Sequence, residues 1–476
     1  MAKTSLFIAL IILLGSTAFA QGSPAGSMPT ASITDKVDKL FEQWNKPDSP
    51  GCALGVIKDG KFVYKRGYGS ANLDYNVPLS SESVFYIAST SKQFTAASIL
   101  LLIRRGVISL DDDIRKYFPE LPKYEATITV SHLVHHTSGL RDYLELRGMA
   151  GQKSDEPFNN EEAVELIARQ KGLNFKPGER FLYSNSNYVL MAEIVRRASG
   201  KNLREFADEN IFRPLGMTNT HFNDDRTAIV KNRVVSYAPI ASGRFRQFVK
   251  TIEAMGDGNL LTSVEDLARW DQNAYDDKVG GEGFSNQMLT RTKLNSGQEI
   301  PYAFGLGNEE YKGLKAVAHG GGFMGFRTEM IRFPEQKFTV ICLCNIGSAT
   351  PYALARQVAD IYLADLLKPA EARPNSAPPA SNSPQPPTLT AEQLAEYIGV
   401  YYSEELDATY RVVIEDGKLF IKARNATRAS LVPRPKDEFR QLGTIFSFAR
   451  NDQKQVTGFA LNGGRARGIR FVKKAN

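Results

Sequence analysis

The sequence has 476 residues, of which 42% are hydrophobic and 23% charged, and its formal net charge is +7. This length favours more than one domain, and the composition is ordinary for a soluble globular protein with a large core. The positive charge is spread thinly, whereas a nucleic-acid surface shows dense Lys and Arg clusters with interleaved aromatic residues. Nucleic acid is therefore excluded as the expected partner, while anionic cell-envelope material stays open.

The first twenty residues are organised like a secretory signal peptide. Lys3 precedes the apolar run 6–14, and Ala18-Phe19-Ala20 matches an A-x-A cleavage site, which predicts cleavage after Ala20. The run is too short for a permanent bilayer anchor, and no later stretch reaches the length of a membrane helix. We expect an exported protein, periplasmic or secreted, with no integral membrane segment in the mature chain.

Strand patterns occur at both ends of the region 30–368. A helix is predicted around 36–44, followed by strands at 52–57 and 62–68 joined by the turn Asp59-Gly60. Strand-like runs also cover 326–333 and 338–344, and an amphipathic helix follows at about 351–367. The middle, 89–275, is mainly helical, so we expect an α+β fold with one antiparallel sheet from both chain ends, flanked by helices.

The first chemical motif is Ser89-Thr90-Ser91-Lys92 at the start of a predicted helix, 89–104. Lys92 is three residues after Ser89 and lies on the same helix face, within reach of the serine hydroxyl. A serine needs a neighbour that takes its proton, and a partly desolvated Lys with a lowered pKa can assist. An N-capping serine beside a solvent-facing lysine is the structural alternative.

Two further motifs carry polar groups that suit the same chemistry. Tyr183-Ser184-Asn185 offers a phenol that can be partly ionised beside a cationic Lys, and an amide that can donate to a substrate carbonyl. His319-Gly320-Gly321-Gly322 precedes the strand at 326–333, and its bare backbone lets a substrate lie along a strand edge. A packed loop tyrosine, and a tight glycine turn with a surface histidine, remain the structural alternatives.

The histidines and cysteines are expected to have structural roles. His132, His135 and His136 lie in one short helical stretch without an H-E-x-x-H arrangement, so no metal site is predicted. Cys342 and Cys344 are two apart on one strand, where neighbours rarely bridge, and both are interpreted as small buried hydrophobic residues. Cys52 could pair with one of them if the two end strands are adjacent.

The last quarter of the chain contains a spacer and a second unit. Residues 369–387 include seven prolines and no aromatic residue, which predicts an extended linker. Beyond it, 388–476 alternates short strand runs with turns, for example at 397–402, 410–414, 418–422, 444–449 and 469–473. This pattern predicts a small antiparallel β-domain, for which a barrel is one arrangement.

The three motifs, taken in order, resemble those of the serine penicillin-recognising enzymes. This group includes class C β-lactamases, D-alanyl-D-alanine carboxypeptidases, D-aminopeptidases and β-lactamase-like esterases, with the triplets S-x-x-K, Y-x-N and [K/H/W]-x-G. The flanking segments Phe85-Tyr86-Ile87-Ala88, His136-Thr137-Ser138-Gly139-Leu140 and Pro214-Leu215-Gly216-Met217 also match, as does the segment 261–270. The similarity runs from about residue 35 to 365 and implies a β-lactamase/transpeptidase-like fold.

The resemblance also implies a mechanism without a metal or organic cofactor. Ser89 would form an acyl-enzyme while Lys92 and Tyr183 relay its proton, and the N–H groups of Ser89 and Gly322 would bind the oxyanion. Asn185, His319 and Gly321 would contact the substrate. The substrate would be a small ester, an amide or a D-amino-acid peptide.

The third triplet departs from the β-lactamase pattern, because His319 stands where those enzymes usually have Lys. An imidazole supplies a positive charge only under mildly acidic conditions, so carboxylate substrates are expected to be favoured as pH falls. The function predicted is therefore an esterase or a D-amino-acid-specific peptidase or carboxypeptidase. A class C-type β-lactamase is one alternative, and a non-catalytic penicillin-binding or cell-wall sensor is another, although a sensor would be expected to lose Ser89, Lys92 or Tyr183.

Overall fold

The computed structural model describes residues 32–153, 155–249, 251–369, 386–424 and 429–475. The predicted signal peptide, 1–20, and positions 370–385 of the predicted linker lie outside these residues. Within the described ranges, no helix is both long and apolar enough to cross a membrane.

Helices occupy mainly the first three quarters of the chain. They are α1 Ile33–Phe41, α2 Lys92–Arg104, α3 Val130–Val134, α4 Tyr143–Met149, α5 Asn160–Ala168, α6 Asn185–Ser199, α7 Leu203–Ala207, α8 Arg213–Leu215, α9 Val264–Asp276, α10 Phe284–Met288, α11 Pro351–Tyr362 and α12 Ala391–Ala395. The predicted helix at 351–367 therefore ends earlier than expected, at Tyr362.

Strands occur at both ends of the first region and throughout the tail. They are β1 Cys52–Lys58, β2 Lys61–Tyr68, β3 Ser70–Asn72, β4 Val77–Pro78, β5 Phe85–Tyr86, β6 His221–Phe222, β7 Ser236–Pro239, β8 Phe245–Phe248, β9 Leu260–Thr262, β10 Gly307–Tyr311, β11 Leu314–Phe323, β12 Phe326–Phe333, β13 Phe338–Cys344, β14 Gly399–Ser403, β15 Ala408–Glu415, β16 Lys418–Lys422, β17 Val432–Arg434, β18 Glu438–Gln441, β19 Thr444–Arg450, β20 Val456–Asn462 and β21 Ile469–Lys473.

The main sheet is built from both ends of the first region, as the sequence predicts. Its strand order is β10-β11-β12-β13-β1-β2, and every neighbouring pair is antiparallel. Alternate residues of β1 and β13 face opposite sides of the sheet, because side chains on a strand alternate with a period of two. The α+β expectation is thereby confirmed.

Each face of this sheet is covered by helices. Leu54 and Val340 lie in the hydrophobic cluster that includes Val37 of α1 and Val358 of α11. Ala53 and Ile341, one position along each strand, belong instead to the cluster that extends into the helical region. The helical region therefore packs on one face of the sheet, and the site motifs lie between the two.

A disulfide joins the two ends of the first region. Cys52 and Cys344 are opposite residues of β1 and β13, and their sulfur atoms are bonded. Cys342 is a buried free thiol whose Sγ lies 3.7 Å from Sγ of Cys344. Because the end strands are adjacent, Cys52 pairs with Cys344, a choice that the sequence left open. The interpretation of Cys344 as a simple hydrophobic residue is therefore wrong, since opposite strand positions bring the two side chains close enough for a disulfide.

The tail forms a second sheet that closes almost completely on itself. Its strand order is β16-β15-β14-β21-β20-β19-β18-β17, and all its pairs are antiparallel. Leu431 N, just before the last strand in this order, donates to Leu419 O of the first at 2.8 Å. The predicted β-domain is thus an eight-stranded, nearly closed barrel.

The barrel packs directly against the helical region. The Arg141 guanidinium pairs with the Glu405 carboxylate at 2.5 Å, and each side chain is only 5% exposed. Tyr410 Oη donates to Met149 O at 2.5 Å, and hydrophobic residues of both units belong to one continuous cluster. The boundaries at 30–368 and 388–476 remain a prediction, and the contacts across them are extensive.

Candidate active site

Ser89 lies in a tight turn immediately before α2. The residues from Ala88 to Ser91 form a short 3₁₀ helix, and Ala88 has a φ of 47°, a left-handed conformation that is costly for a residue with a Cβ. Ser91 Oγ stabilises the turn by donating to Ala88 O at 2.5 Å. The Ser89 side chain stays partly exposed while its neighbours are buried. The turn therefore leaves the Ser89 hydroxyl accessible at the edge of the hydrophobic core.

Lys92 is the first residue of α2, and its side chain is fully buried. Its Nζ lies 3.1 Å from Ser89 Oγ, 2.9 Å from Asn185 Oδ1 and 2.5 Å from the carbonyl oxygen of Asp257. Burial lowers the pKa of Lys92 to about 8, against the opposing effect of the nearby Asp257 and Asp142 carboxylates. The amine can therefore lose its proton near neutral pH, next to the serine hydroxyl.

Asn185 is the first residue of α6, and it makes hydrogen bonds with Asp142 and with Lys92. Its backbone N and its Nδ2 both donate to Asp142 Oδ2, at 2.7 Å and 2.9 Å. Because Nδ2 is committed to this carboxylate, Oδ1 faces Lys92. The structure thus brings Asn185 together with the Ser89–Lys92 pair.

Tyr183 packs over the Lys92 amine just before α6. The ring centroid is 4.9 Å from Nζ, within the range of a cation–π interaction. Its Oη is buried and makes no hydrogen bond within ordinary geometry to the described residues, although the nearby Ser89 side chain opposes the rise in its pKa. Burial raises the pKa of Tyr183 well above its usual value, so the resting phenol is protonated rather than partly ionised.

His319 lies on β11 beside Tyr302. Tyr302 Oη is 3.0 Å from His319 Nε2, and His319 Nδ1 is 2.7 Å from the Gly320 carbonyl oxygen. Burial, followed by the positive charge of Lys92, lowers the pKa of His319 to about 4. The imidazole is therefore neutral at mildly acidic pH, contrary to the expectation from the sequence that it would become charged there.

The glycine run brings β11 against the turn that holds Ser89. Pairing of β11 with β10 ends at Ala318, so residues 319–323 are paired only with β12 and leave one edge facing the site. A Cβ on Gly321 would lie 2.3 Å from Ile87 O, so only glycine permits this approach. Thr90 Oγ1 donates to His319 O at 3.3 Å and fixes the strand beside the turn. Gly322 follows Gly321 on this strand.

Several groups around the site were not identified from the sequence. They are Asp142, Tyr302 and Asp257. The Asp257 carboxylate accepts from Tyr143 Oη at 3.2 Å, and burial raises the pKa of Asp257 to about 6. The run Gly256-Asp257-Gly258 offered a signal, since an aspartate between two glycines marks a close backbone approach. For Asp142 and Tyr302 the sequence offers no comparable local signal.

The three clustered histidines have separate hydrogen-bonding roles. His132 Nδ1 accepts from Thr129 N at 3.0 Å at the start of α3, and His135 Nδ1 lies 2.9 Å from Ser131 O. His136 Nδ1 accepts from Ser184 N at 3.2 Å, and its ring centroid is 4.3 Å from that of Tyr183. The His132 and His135 contacts are local to α3 and its start, whereas those of His136 order the backbone and ring beside the site.

The family profile described as Beta-lactamase matches residues 37–364, the region that contains every one of these motifs. The chain belongs to this family. It is 30% identical over 420 residues to penicillin-binding protein 4* of Bacillus subtilis strain 168, covering 84% of this chain and 90% of that protein. These relationships make it a serine hydrolase of the penicillin-recognising type.

The relatives named D-aminopeptidase share only part of their length with this chain. It is 29% identical over 310 residues to the D-aminopeptidase of Gluconobacter oxydans strain 621H, covering 65% of this chain but 58% of that enzyme. Among solved structures, the octameric penicillin-binding protein homologue from Pyrococcus abyssi has a TM-score of 0.64 at 24% identity, covering 93% of this chain and 100% of that one. The β-lactamase/transpeptidase-like fold expected from the sequence is confirmed.

Proposed function

We propose that the protein is an exported hydrolase that forms an acyl-enzyme on Ser89 and cleaves amides or peptides of D-amino acids. The observation that carries the proposal is the buried Lys92 amine, 3.1 Å from Ser89 Oγ and with a pKa lowered to about 8. A serine becomes a strong nucleophile when an adjacent base accepts its proton, and this amine is placed and tuned for that transfer.

The reaction uses the remaining groups in sequence. Ser89 Oγ attacks the carbonyl carbon as its proton passes to Lys92, and the backbone N–H groups of Ser89 and Gly322 bind the developing oxyanion. Tyr183, protonated at rest, donates its proton to the leaving nitrogen and recovers one from Lys92. Water then attacks the acyl carbon as the neutral Lys92 amine accepts one of its protons. Lys92 passes that proton to Ser89 Oγ as the bond between Oγ and the acyl carbon breaks, and the acid is released with Ser89 restored.

The D-amino-acid preference is supported by the relatives named D-aminopeptidase. The neutral state of His319 argues separately, against a β-lactam substrate. The imidazole is neutral near pH 7, whereas β-lactamases usually have a lysine at this place, so a β-lactam carboxylate would meet no positive charge there. Amide and ester substrates without such a carboxylate do not need that charge.

A substrate panel tests this proposal. It pairs D-alanine p-nitroanilide with its L-enantiomer and adds p-nitrophenyl acetate and a chromogenic cephalosporin, with Ser89→Ala as the control. We expect kcat/KM for the D-anilide to exceed that of the L-form at least tenfold, and all turnover to vanish in Ser89→Ala. Equal rates for the two enantiomers, or a preference for the cephalosporin, would reject the D-amino-acid assignment.

Export is a separate part of the proposal and has its own test. The motif Ala18-Phe19-Ala20 predicts that the mature protein begins at Gln21. N-terminal sequencing of the protein recovered outside the cytoplasm should give that residue. Recovery of the uncleaved chain from the cytoplasm alone would contradict export.

A further inference from the structure

The loop between β20 and β21, residues 463–468, joins the barrel to residues that lie beside the active site. The Arg465 carbonyl oxygen accepts from Asp142 N at 3.0 Å and from Asn174 Nδ2 at 2.8 Å. The Glu145 carboxylate accepts from the backbone N of Gly464, at 2.7 Å, and of Arg465. The backbone of the loop is thus fixed to the helical region independently of the Arg465 side chain.

The Arg465 side chain reaches a buried carboxylate. Its Nη1 lies 3.3 Å from Asp142 Oδ2, and Asp142 is not exposed at all. Among the described residues, Arg465 is the only cation within 4.0 Å of this carboxylate. A buried carboxylate without such a partner is costly, so the barrel supplies the countercharge that Asp142 needs.

The same Asp142 oxygen orients a residue of the site. Oδ2 accepts from both the backbone N and Nδ2 of Asn185, and this donation points Asn185 Oδ1 at Lys92 Nζ, 2.9 Å away. Lys92 Nζ is in turn 3.1 Å from Ser89 Oγ. A continuous series of polar contacts therefore runs from the barrel loop to the nucleophile.

We propose that Arg465 is a positioning residue for the hydrolase: by pairing with Asp142 it holds the Asn185 amide against Lys92 and keeps Lys92 available as a base. The inference rests on the proposed role of Ser89 and Lys92, but not on the D-amino-acid preference. It also assigns the barrel a part in the chemistry of the first region.

The charges around Lys92 determine whether loss of the Arg465 charge raises or lowers the pKa of Lys92. Asp257 and Asp142 raise the pKa of Lys92, while Arg465 lowers it. Loss of the Arg465 charge therefore raises the pKa of Lys92 twice, directly and by leaving Asp142 unopposed. The other titratable groups that face Lys92 are Tyr183 and Tyr188, whose rings contact the amine, and His136 and His319, whose own pKa values Lys92 helps to lower.

Three full-length variants separate this role from a purely structural one. Arg465→Met keeps the aliphatic stem and removes the charge, and Arg465→Lys keeps the charge. The matched control is Arg467→Met, because among the described residues the exposed Arg467 side chain donates only within the loop, to Gly464 O at 3.3 Å. Thermal unfolding and circular dichroism establish that each variant is folded.

The readout is the pH profile of kcat/KM on p-nitrophenyl acetate, a neutral ester that needs no D-amino-acid selectivity, with the rate of fluorophosphonate labelling as a second measure. In Arg465→Met we expect the rising limb of this pH profile to move to higher pH by about half a unit and the rate at pH 7 to fall roughly threefold, as the neutral fraction of Lys92 falls. Arg465→Lys should recover most of both, and Arg467→Met should match the wild type.

An unshifted limb in Arg465→Met would overturn the inference, whether the rate is normal or reduced, because a merely structural contact does not move the profile. Failure of Arg465→Lys to restore the limb would also overturn it. Loss of the D-amino-acid preference in the substrate panel would reject only that assignment, since ester turnover and labelling still report on Lys92.

Discussion

Tyr302 donates its hydroxyl hydrogen to Nε2 of His319. The assignment follows from the other ring nitrogen, because Nδ1 lies 2.7 Å from a carbonyl oxygen, which can only accept, and so must carry the proton. A neutral imidazole with this tautomer satisfies both contacts. Protonation would remove the acceptor on Nε2 and place a second positive charge beside Lys92, and desolvation together with Lys92 accounts for the lowered pKa of His319.

The first prediction concerns substrate charge and pH. Since the pKa of His319 is about 4, the ratio of kcat/KM for a neutral ester and its carboxylate-bearing analogue should stay within twofold between pH 5.5 and 8. His319→Lys should raise the preference for the carboxylate analogue throughout this range. A ratio that changes with a midpoint near pH 6.5 would show that the imidazole titrates as a solvent-exposed histidine does.

The second prediction concerns the phenol of Tyr183. Tyr183→Phe keeps the ring over Lys92 but removes the proton donor, so kcat should fall by roughly two to four orders of magnitude. Tyr188→Phe is the matched control, because the Tyr188 hydroxyl donates to Val134 O at 3.1 Å and serves the fold. Near-normal turnover in Tyr183→Phe would leave the proton transfers to Lys92 alone.

The third prediction concerns the contact between barrel and helical region. Glu405→Ala would leave the Arg141 guanidinium buried without its carboxylate, and it should lower the free energy of unfolding by about 3–5 kcal/mol. Glu404→Ala removes the neighbouring exposed pair with Lys171 and should cost less than about 1 kcal/mol. Urea denaturation measures both, and equal small losses would show that the Arg141–Glu405 pair does not stabilise the junction.

The parts of the site that sequence could predict are those set by local geometry. Ser89 and Lys92 are three residues apart at a helix start, so their proximity follows from helix geometry alone. The Asp142–Arg465 contact joins positions more than three hundred residues apart, and no local pattern indicates it. The protonation states of Tyr183 and His319 also escaped prediction, because they depend on burial by distant elements.

In the fold, too, strands with a clear local sequence pattern were predicted and strands without one were missed. Four of the six strands of the main sheet, β1, β2, β12 and β13, were predicted because they carry clear strand runs and turns, whereas β10 and β11 at one edge were missed. In the barrel, β17, β18 and β20 were missed: β17 contains Pro433 at the end of the sheet order, and β20 contains Gly458, residues that weaken a strand pattern. Hydrogen bonds to neighbouring strands keep these segments in the sheet despite Pro433 and Gly458.

The most direct test of the account is the site of covalent modification. The wild-type protein is labelled with a fluorophosphonate, digested and mapped by mass spectrometry, with Ser89→Ala treated in parallel. We predict one adduct, on Ser89, absent from the folded Ser89→Ala protein, whose turnover should fall on the order of a million-fold. An adduct on another serine, or Ser89→Ala that retains turnover, would contradict the assignment of Ser89 as the nucleophile.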